Sequence, residues 1–171
     1  MKLVVNIENR IDELNQAVGK VTSWLTVILV GVIIFDVFMR YAFAITSAAS
    51  FELEWHLFAA IFLLAAGWTF QQDRHVRVDV FYNRFSPKTK AWVNGLGSLV
   101  LLMPLCYIGV TEGAQFAYNA YALNETSPDP GGLPARFVIK SAIPLGFLLL
   151  GLQGVGEILK SFRAILSVSK P

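Results

Sequence analysis

One cysteine and two histidines in 171 residues leave this chain little to build a reactive centre from. Cys106 has no partner for an internal disulfide, and a dithiol redox enzyme would need a second thiol. His75 and Asp79 stand at the i, i+4 spacing of a helix, but no third or fourth ligand of suitable type lies beside them, so a metal site is not indicated. His56 and His75 fall on what reads as largely one helix, about 28 Å apart at 1.5 Å per residue, too far to grip one haem. There is no serine in a nucleophile setting, no pair of carboxylates in a cleft-like segment and no glycine-rich phosphate loop. The chain reads as a non-enzyme with no cofactor. Charge is scarce as well, at 15% of residues against about a quarter in soluble domains, and the net charge of +2 offers no global attraction for nucleic acid.

What the chain does have is apolar length. With 55% apolar residues, it contains four stretches long and greasy enough to cross a bilayer, which takes about 20 residues at 1.5 Å each. They run over 21–42, 50–71, 90–112 and 137–158. Each must be a helix, because unpaired backbone amides are too costly in hydrocarbon. The expected architecture is an all-α integral membrane protein forming one membrane domain over 1–171, with no internal repeat. The first stretch reads as a permanent span and not a removable leader, since its apolar run is too long and some twenty amphipathic residues precede it.

Eleven of the fourteen Lys and Arg side chains fall before the first stretch, between the second and third, or after the fourth. By the positive-inside rule this places both termini and the 72–89 connection in the cytoplasm, and the connections near 43–49 and 113–136 outside. In "QQDRHVRVDVFYNRFSPKTK", residues 71–90, the basic cluster is thus first a topology signal whose long side chains reach anionic headgroups. Nucleic-acid binding would want a larger basic surface with exposed aromatics, whereas Phe81, Tyr82 and Phe85 suit an interfacial belt. Docking against another membrane protein is the other reading of Arg74, His75, Arg77 and Asp79, because Val76, Val78 and Val80 alternate with them. In "FSPKTKAW", Ser86 is placed to cap a new helix with Pro87 at its first position.

Charged groups inside the apolar stretches want partners. Asp36 and Arg40 are spaced i, i+4 with the acid first, the favourable order for an intrahelical pair. "SFELEWHLF" brings Glu52, Glu54 and His56 to a similar depth across the short hairpin loop. A polar knot of Asp36, Arg40 and Glu54 locking the first two helices is the expected role, with an ion- or proton-coupling site or a partner contact as alternatives. Before the first span, Ile7, Ile11, Leu14, Val18 and Val21 recur at three- and four-residue steps with Glu8, Asp12 and Glu13 opposite. This describes an amphipathic helix on the membrane surface or against a partner. After the third span, "GAQFAYNAYAL" with Phe116, Tyr118 and Tyr121 reads as a horizontal interfacial helix, and "NETSPDPGGLP" as an outer loop. The fourth span opens with Arg136 and Lys140 on one face. They bridge to Glu112, Glu125 or Asp129, or they meet an acidic partner outside the membrane. Pro144, Gly146, Gly151, Gly154 and Gly156 suit close packing, either within the bundle or at a seam for a second subunit.

The order "FMRYAFAITSAASFELEWHLFAAIFLLAAGWTFQQDRHVRVDVFYNRFSPKTKAW" resembles the small membrane subunit, Q or DctQ-like, of tripartite ATP-independent periplasmic (TRAP) transporters. The resemblance is carried by Arg40 and Tyr41 after the first span, Glu54 at the start of the second, and the His75 to Asp79 segment. Length, four spans and inward termini extend it over essentially the whole chain, with a tilt towards the sialic-acid branch. The resemblance implies a bacterial inner-membrane subunit of a cation-driven uptake system for a carboxylate substrate. Its partners would be a large membrane subunit (M), which carries the substrate and sodium sites and works as an elevator, and a transient periplasmic substrate-binding protein (P). The small subunit would enlarge the static scaffold, with Arg136 and Lys140 helping to receive the binding protein. A self-sufficient small transporter and a four-helix anchor of a redox complex are the alternatives from other classes.

Overall fold

The structure, a computed structural model, describes residues 2–72, 82 and 84–168. It contains four long helices and, among the described residues, no strand. Helix α1 spans Lys2–Phe43 and α2 spans Ala48–Gln71. Helix α3 is the continuous run Pro87–Ala122, and α4 spans Phe137–Val168. All four are long and apolar enough to cross a membrane.

Local chemistry explains where the helices begin and end. Ala44 adopts the left-handed conformation (φ 54°) and donates to the Arg40 carbonyl, while the Ile45 N–H reaches the Met39 carbonyl, and this closes α1. The Ser47 side chain then accepts from the Ser50 N–H as the N-cap of α2. Ser86 caps α3 by accepting from the Thr89 N–H at 3.2 Å, with Pro87 in the first turn, as its sequence setting predicts. Inside α3, Ser98–Leu102 widens into a π-helical turn in which the Met103 N–H bonds to the Ser98 carbonyl. Pro104, immediately after it, has no N–H and its ring crowds the carbonyl four residues back; the wider turn relieves that clash.

The interior is inverted relative to a soluble domain. The buried apolar residues are all small (Ala91, Cys106, Ala117, Ala120 and Ala142), whereas Glu8, Asn15, Asp36, Glu52 and Gln153 are buried polar groups. Large side chains point outward, Leu101 at 73% and Phe62 at 70% exposure. Lipid tails are as apolar as leucine, so these helices gain nothing by hiding leucine from lipid and associate through close backbone approach and polar pairing instead.

Helix α4 is the hub, packing against each of the other three. Glycines set the approach distances. A Cβ on Gly146 would lie 2.6 Å from the Leu63 carbonyl oxygen of α2, and one on Gly113 would lie 3.1 Å from the Pro144 ring. Gly151 faces Cys106 and Gly154 faces Leu102 on α3, while Gly19 of α1 lies under the Trp68 ring. The glycines of α4 therefore serve packing within the bundle.

Two expected elements differ in extent. The amphipathic N-terminal stretch is not a separate surface helix, because α1 runs unbroken for 42 residues, about 63 Å against a hydrocarbon thickness of about 30 Å. No glycine or proline pair interrupts it, and its polar face is turned inward onto α4. The "GAQFAYNAYAL" stretch likewise continues α3 and does not lie down as a helix of its own.

Gly146→Ala should destabilise the bundle by about 1–3 kcal/mol, because the atom it meets is backbone and cannot rotate aside. Gly31→Ala, with nothing within 4 Å, should be neutral or slightly stabilising. Thermal unfolding of the two variants in the same detergent checks this.

Candidate functional site: polar clasps between the helices

The first clasp is built on Glu52, in the second turn of α2. Its side chain is only 3% exposed, and three donors converge on it. Oε1 accepts from Ser127 Oγ at 2.5 Å and from Arg136 Nη2 at 2.9 Å, and Oε2 accepts from the Leu133 N–H at 2.6 Å. These donors belong to the 123–136 connection and the residue just before α4. The loop is otherwise held by its own turns: the Ser127 N–H donates to the Leu133 carbonyl, the Gly132 N–H to the Asp129 carbonyl, and the Arg136 N–H to the Glu125 carbonyl. Gly132 is required by the clasp itself, since a Cβ there would lie 2.3 Å from Ser127 Oγ and 2.8 Å from Glu52 Oε2. Lys140 closes the same end by pairing with Glu125 at 2.5 Å and lying 3.8 Å from the centroid of the Phe116 ring.

The second clasp joins α1 to α4 near the chain termini. Asp12 accepts from Lys160 Nζ at 2.7 and 3.0 Å and from Gln153 Nε2 at 2.8 Å. Gln153 Oε1 in turn accepts from Asn15 Nδ2 at 2.9 Å. One turn earlier on α1, Glu8 pairs with Arg163 at 3.0 Å. Helix α2 joins through Gln71 Nε2, which donates to the Asp12 carbonyl at 3.3 Å, and α3 is tied to α4 by Asn94 Nδ2 donating to Glu157 Oε1 at 3.0 Å. Buried amides and charges are held in such an interior by partners on facing helices, although Glu8 Oε1, Asn15 Oδ1 and Gln71 Oε1 make no hydrogen bond among the described residues.

Several candidate residues land differently from their expected roles. Asp36 and Arg40 bond to each other at 2.5 Å within α1. Glu54 does not complete an inter-helix knot with them; it reaches Arg40 only through longer-range attraction. The reason is rotational: two residues along a helix is about 200°, so of Glu52 and Glu54 only one can face the bundle, and it is Glu52. Arg136 and Lys140, expected to meet an outside partner, are only 22% and 15% exposed and are held by Glu52 and Glu125. Glu125 is one of the acids that lie near them in the sequence; Glu52 is not. The inward stripe of α2, Glu52, His56, Leu63 and Gly67 at steps of four, seven and four residues ending on a glycine, is the pattern that marks the right acid. Gln153 and Asn15 carried a signal too, as amides in otherwise apolar or inward-facing positions. Arg74, His75, Val76, Arg77, Val78, Asp79, Val80 and Phe81, together with Lys170, lie outside the described residues.

Chemically, these groups fix helices. Each carboxylate of the two clasps already accepts from a cation or an N–H, and among the described residues no three His, Cys, Asp or Glu side chains converge as metal ligands. The sequence model of a transporter family, the DctQ component of tripartite ATP-independent periplasmic transporters, matches residues 29–164. The chain belongs to that family. No curated protein matches the chain. The DctQ match covers α2, α3 and the whole Glu52 clasp, and takes in Gln153 and Lys160 of the second clasp but not their α1 partners. The DctQ family is one of transporter components, which makes this multi-pass chain the small membrane subunit of a TRAP transporter.

Glu52→Gln should keep an acceptor for Leu133 but lose the ion pair, and Glu52→Ala should lose all three bonds. Cleavage of the 123–136 loop by added protease should therefore accelerate in the order wild type, Gln, Ala, by about tenfold or more for Ala, the equivalent of one charge-assisted hydrogen bond. A double-mutant cycle on Asp12 and Lys160, read by thermal unfolding, should return a coupling of about 1 kcal/mol or more, since both groups lie at a helix interface.

Proposed function

We propose that the chain braces the large membrane subunit of its transporter during cation-coupled, binding-protein-dependent uptake of a carboxylate substrate such as sialic acid or a C4-dicarboxylate. The observation that carries this reading is the disposition of polar groups. An uptake site needs groups that exchange partners with a travelling solute or ion, whereas here the acids of the two clasps are each already paired with a cation of the chain. Such an arrangement favours a rigid body against which another subunit moves. The small-residue interior and the outward display of large apolar side chains favour the same reading, because they leave a broad apolar surface around a stiff centre.

The charge bias of the connections supports an inner-membrane orientation with both termini in the cytoplasm and the 44–47 and 123–136 loops in the periplasm. In that orientation the 123–136 loop is the ordered outward surface offered to the binding protein. Arg136 and Lys140 act on that encounter by holding the loop from behind, through Glu52 and Glu125, and not by touching the binding protein themselves. The basic 72–89 connection anchors the opposite end to anionic headgroups or to the large subunit.

Purification of a tagged chain in mild detergent should bring down a much larger multispanning protein in stoichiometric amount. Liposomes holding this chain alone should move no solute, and liposomes holding the pair should do so only with binding protein and a cation gradient. Uptake by the lone chain would overturn the reading in favour of a self-sufficient transporter, and a haem absorption band would do so in favour of a redox anchor. Arg136→Ala with Lys140→Ala should lower binding-protein-dependent uptake while the membrane pair still co-purifies.

A further inference from the structure

Glu54 is the exception among the acids of α1 and α2. Glu8, Asp12, Glu13, Asp36 and Glu52 each meet a cation of this chain within 3.5 Å. Among the described residues Glu54 has no hydrogen bond or ion pair, and Arg40, a cation it attracts at longer range, is already bonded to Asp36. It stands six residues, about 9 Å, inside the start of an apolar helix. Its surroundings are a groove of about 250 Å³ between α1 and α2, lined also by Leu29, Ile33, Phe51, Trp55 and Phe58. Ile33 is shared with a second groove of about 550 Å³ along α1 that reaches Tyr41. On the same side of α2, Phe51, Phe58 and Phe62 follow one another at helical spacing, each more than 60% exposed.

This combination is a carboxylate without a counter-ion set in a furrow of aromatic rings on the outside of a membrane bundle. A charge at such a depth is costly unless it is paired, and aromatic side chains around a single polar group are the usual make-up of an energetically dominant contact. An acyl chain would fill the furrow but leave the carboxylate unpaired, and a phosphate headgroup would repel it. A second copy of this chain would have to offer Arg40, Arg136 or Lys140 from the same end of the bundle, and these are already held by Asp36, Glu52 and Glu125. The complementary occupant is a helix that brings its own cation.

We propose that the α1–α2 face centred on Glu54 seats a transmembrane helix of the large permease subunit, and that this helix presents an arginine or lysine to the Glu54 carboxylate. The proposal rests on the reading of the chain as a brace for that subunit. It assigns the two neighbouring acids of "FELEW" to different tasks: Glu52 holds this chain together, and Glu54 holds its partner.

The test uses the complete transporter expressed in cells. A photoreactive benzophenone amino acid in place of Phe58 should give an adduct with the large subunit, and the same group in place of Leu101, on the outer face of α3, should give much less. Glu54→Gln and Glu54→Lys should each cut recovery of the large subunit with the tagged chain by roughly tenfold or more, the reversal more than the neutral change. Glu54→Asp should retain part of the recovery. The thermal unfolding midpoint of the isolated chain should not fall in Glu54→Gln, because no bond within the chain is lost. Recovery of the large subunit at the wild-type level in Glu54→Lys would overturn the proposal while leaving the brace reading standing, as would a position-58 adduct with a second copy or with lipid alone. A wild-type chain that recovers no larger membrane protein would overturn both.

Discussion

Glu52 receives a hydroxyl from Ser127, a backbone N–H from Leu133 and the guanidinium of Arg136, three donors that lie between seventy-five and eighty-four residues away along the chain. A buried carboxylate of this kind tolerates no half measures. With both oxygens engaged it is stable in a dry interior, and with its donors removed it becomes a charge without solvent. The start of α2, the fold of the 123–136 loop and the entry angle of α4 are therefore set together. Gly132 is glycine because the carboxylate and Ser127 occupy the space of its side chain, and Arg136 sits where it does because Glu52 does. From that point α4 passes down the bundle and meets the other three helices in turn.

The other half of the arrangement follows from solvent. In a bilayer, large apolar side chains gain nothing by being inside, so the interior is left to groups that need shelter or that take little room. Alanines, glycines and a cysteine bring backbones close enough for polar side chains to reach across. Gln153 then spans from Asn15 to Asp12, and Lys160 and Arg163 neutralise Asp12 and Glu8 of α1. The result is clasped towards both ends and tightly packed between. Such rigidity suits the proposed role, a component that stays still while a larger subunit moves, with the outer aromatic face of α2 as the surface proposed to meet that subunit.

The all-helical class, the number of spanning helices, the Ser86–Pro87 start of α3 and the family resemblance were all legible in the residues. These features depend on local periodicity and on composition, which survive without knowledge of what lies opposite. The Asp36–Arg40 pair was legible for the same reason, being one turn apart on one helix. The extent of α1 was not. A stretch with acids on one face and aliphatics on the other reads as a helix lying on a membrane, and the same stretch fits equally well into a bundle whose interior is polar. Only the presence of Gln153, Lys160 and Arg163 on the facing surface of α4 decides between them.

Glu52 and Glu54 mark the same boundary more sharply. By itself the chain's order of residues determined that a carboxylate would stand near the start of the second span and that Arg136 and Lys140 would stand at the start of the fourth, because depth follows from counting residues along a helix. Which carboxylate turns inward, and that Arg136 answers it across more than eighty residues of chain, was decided by the tertiary structure. Rotation about a helix axis is fixed by what the neighbouring helices offer. A single helix carries no record of its neighbours, beyond which of its faces is lined with glycine.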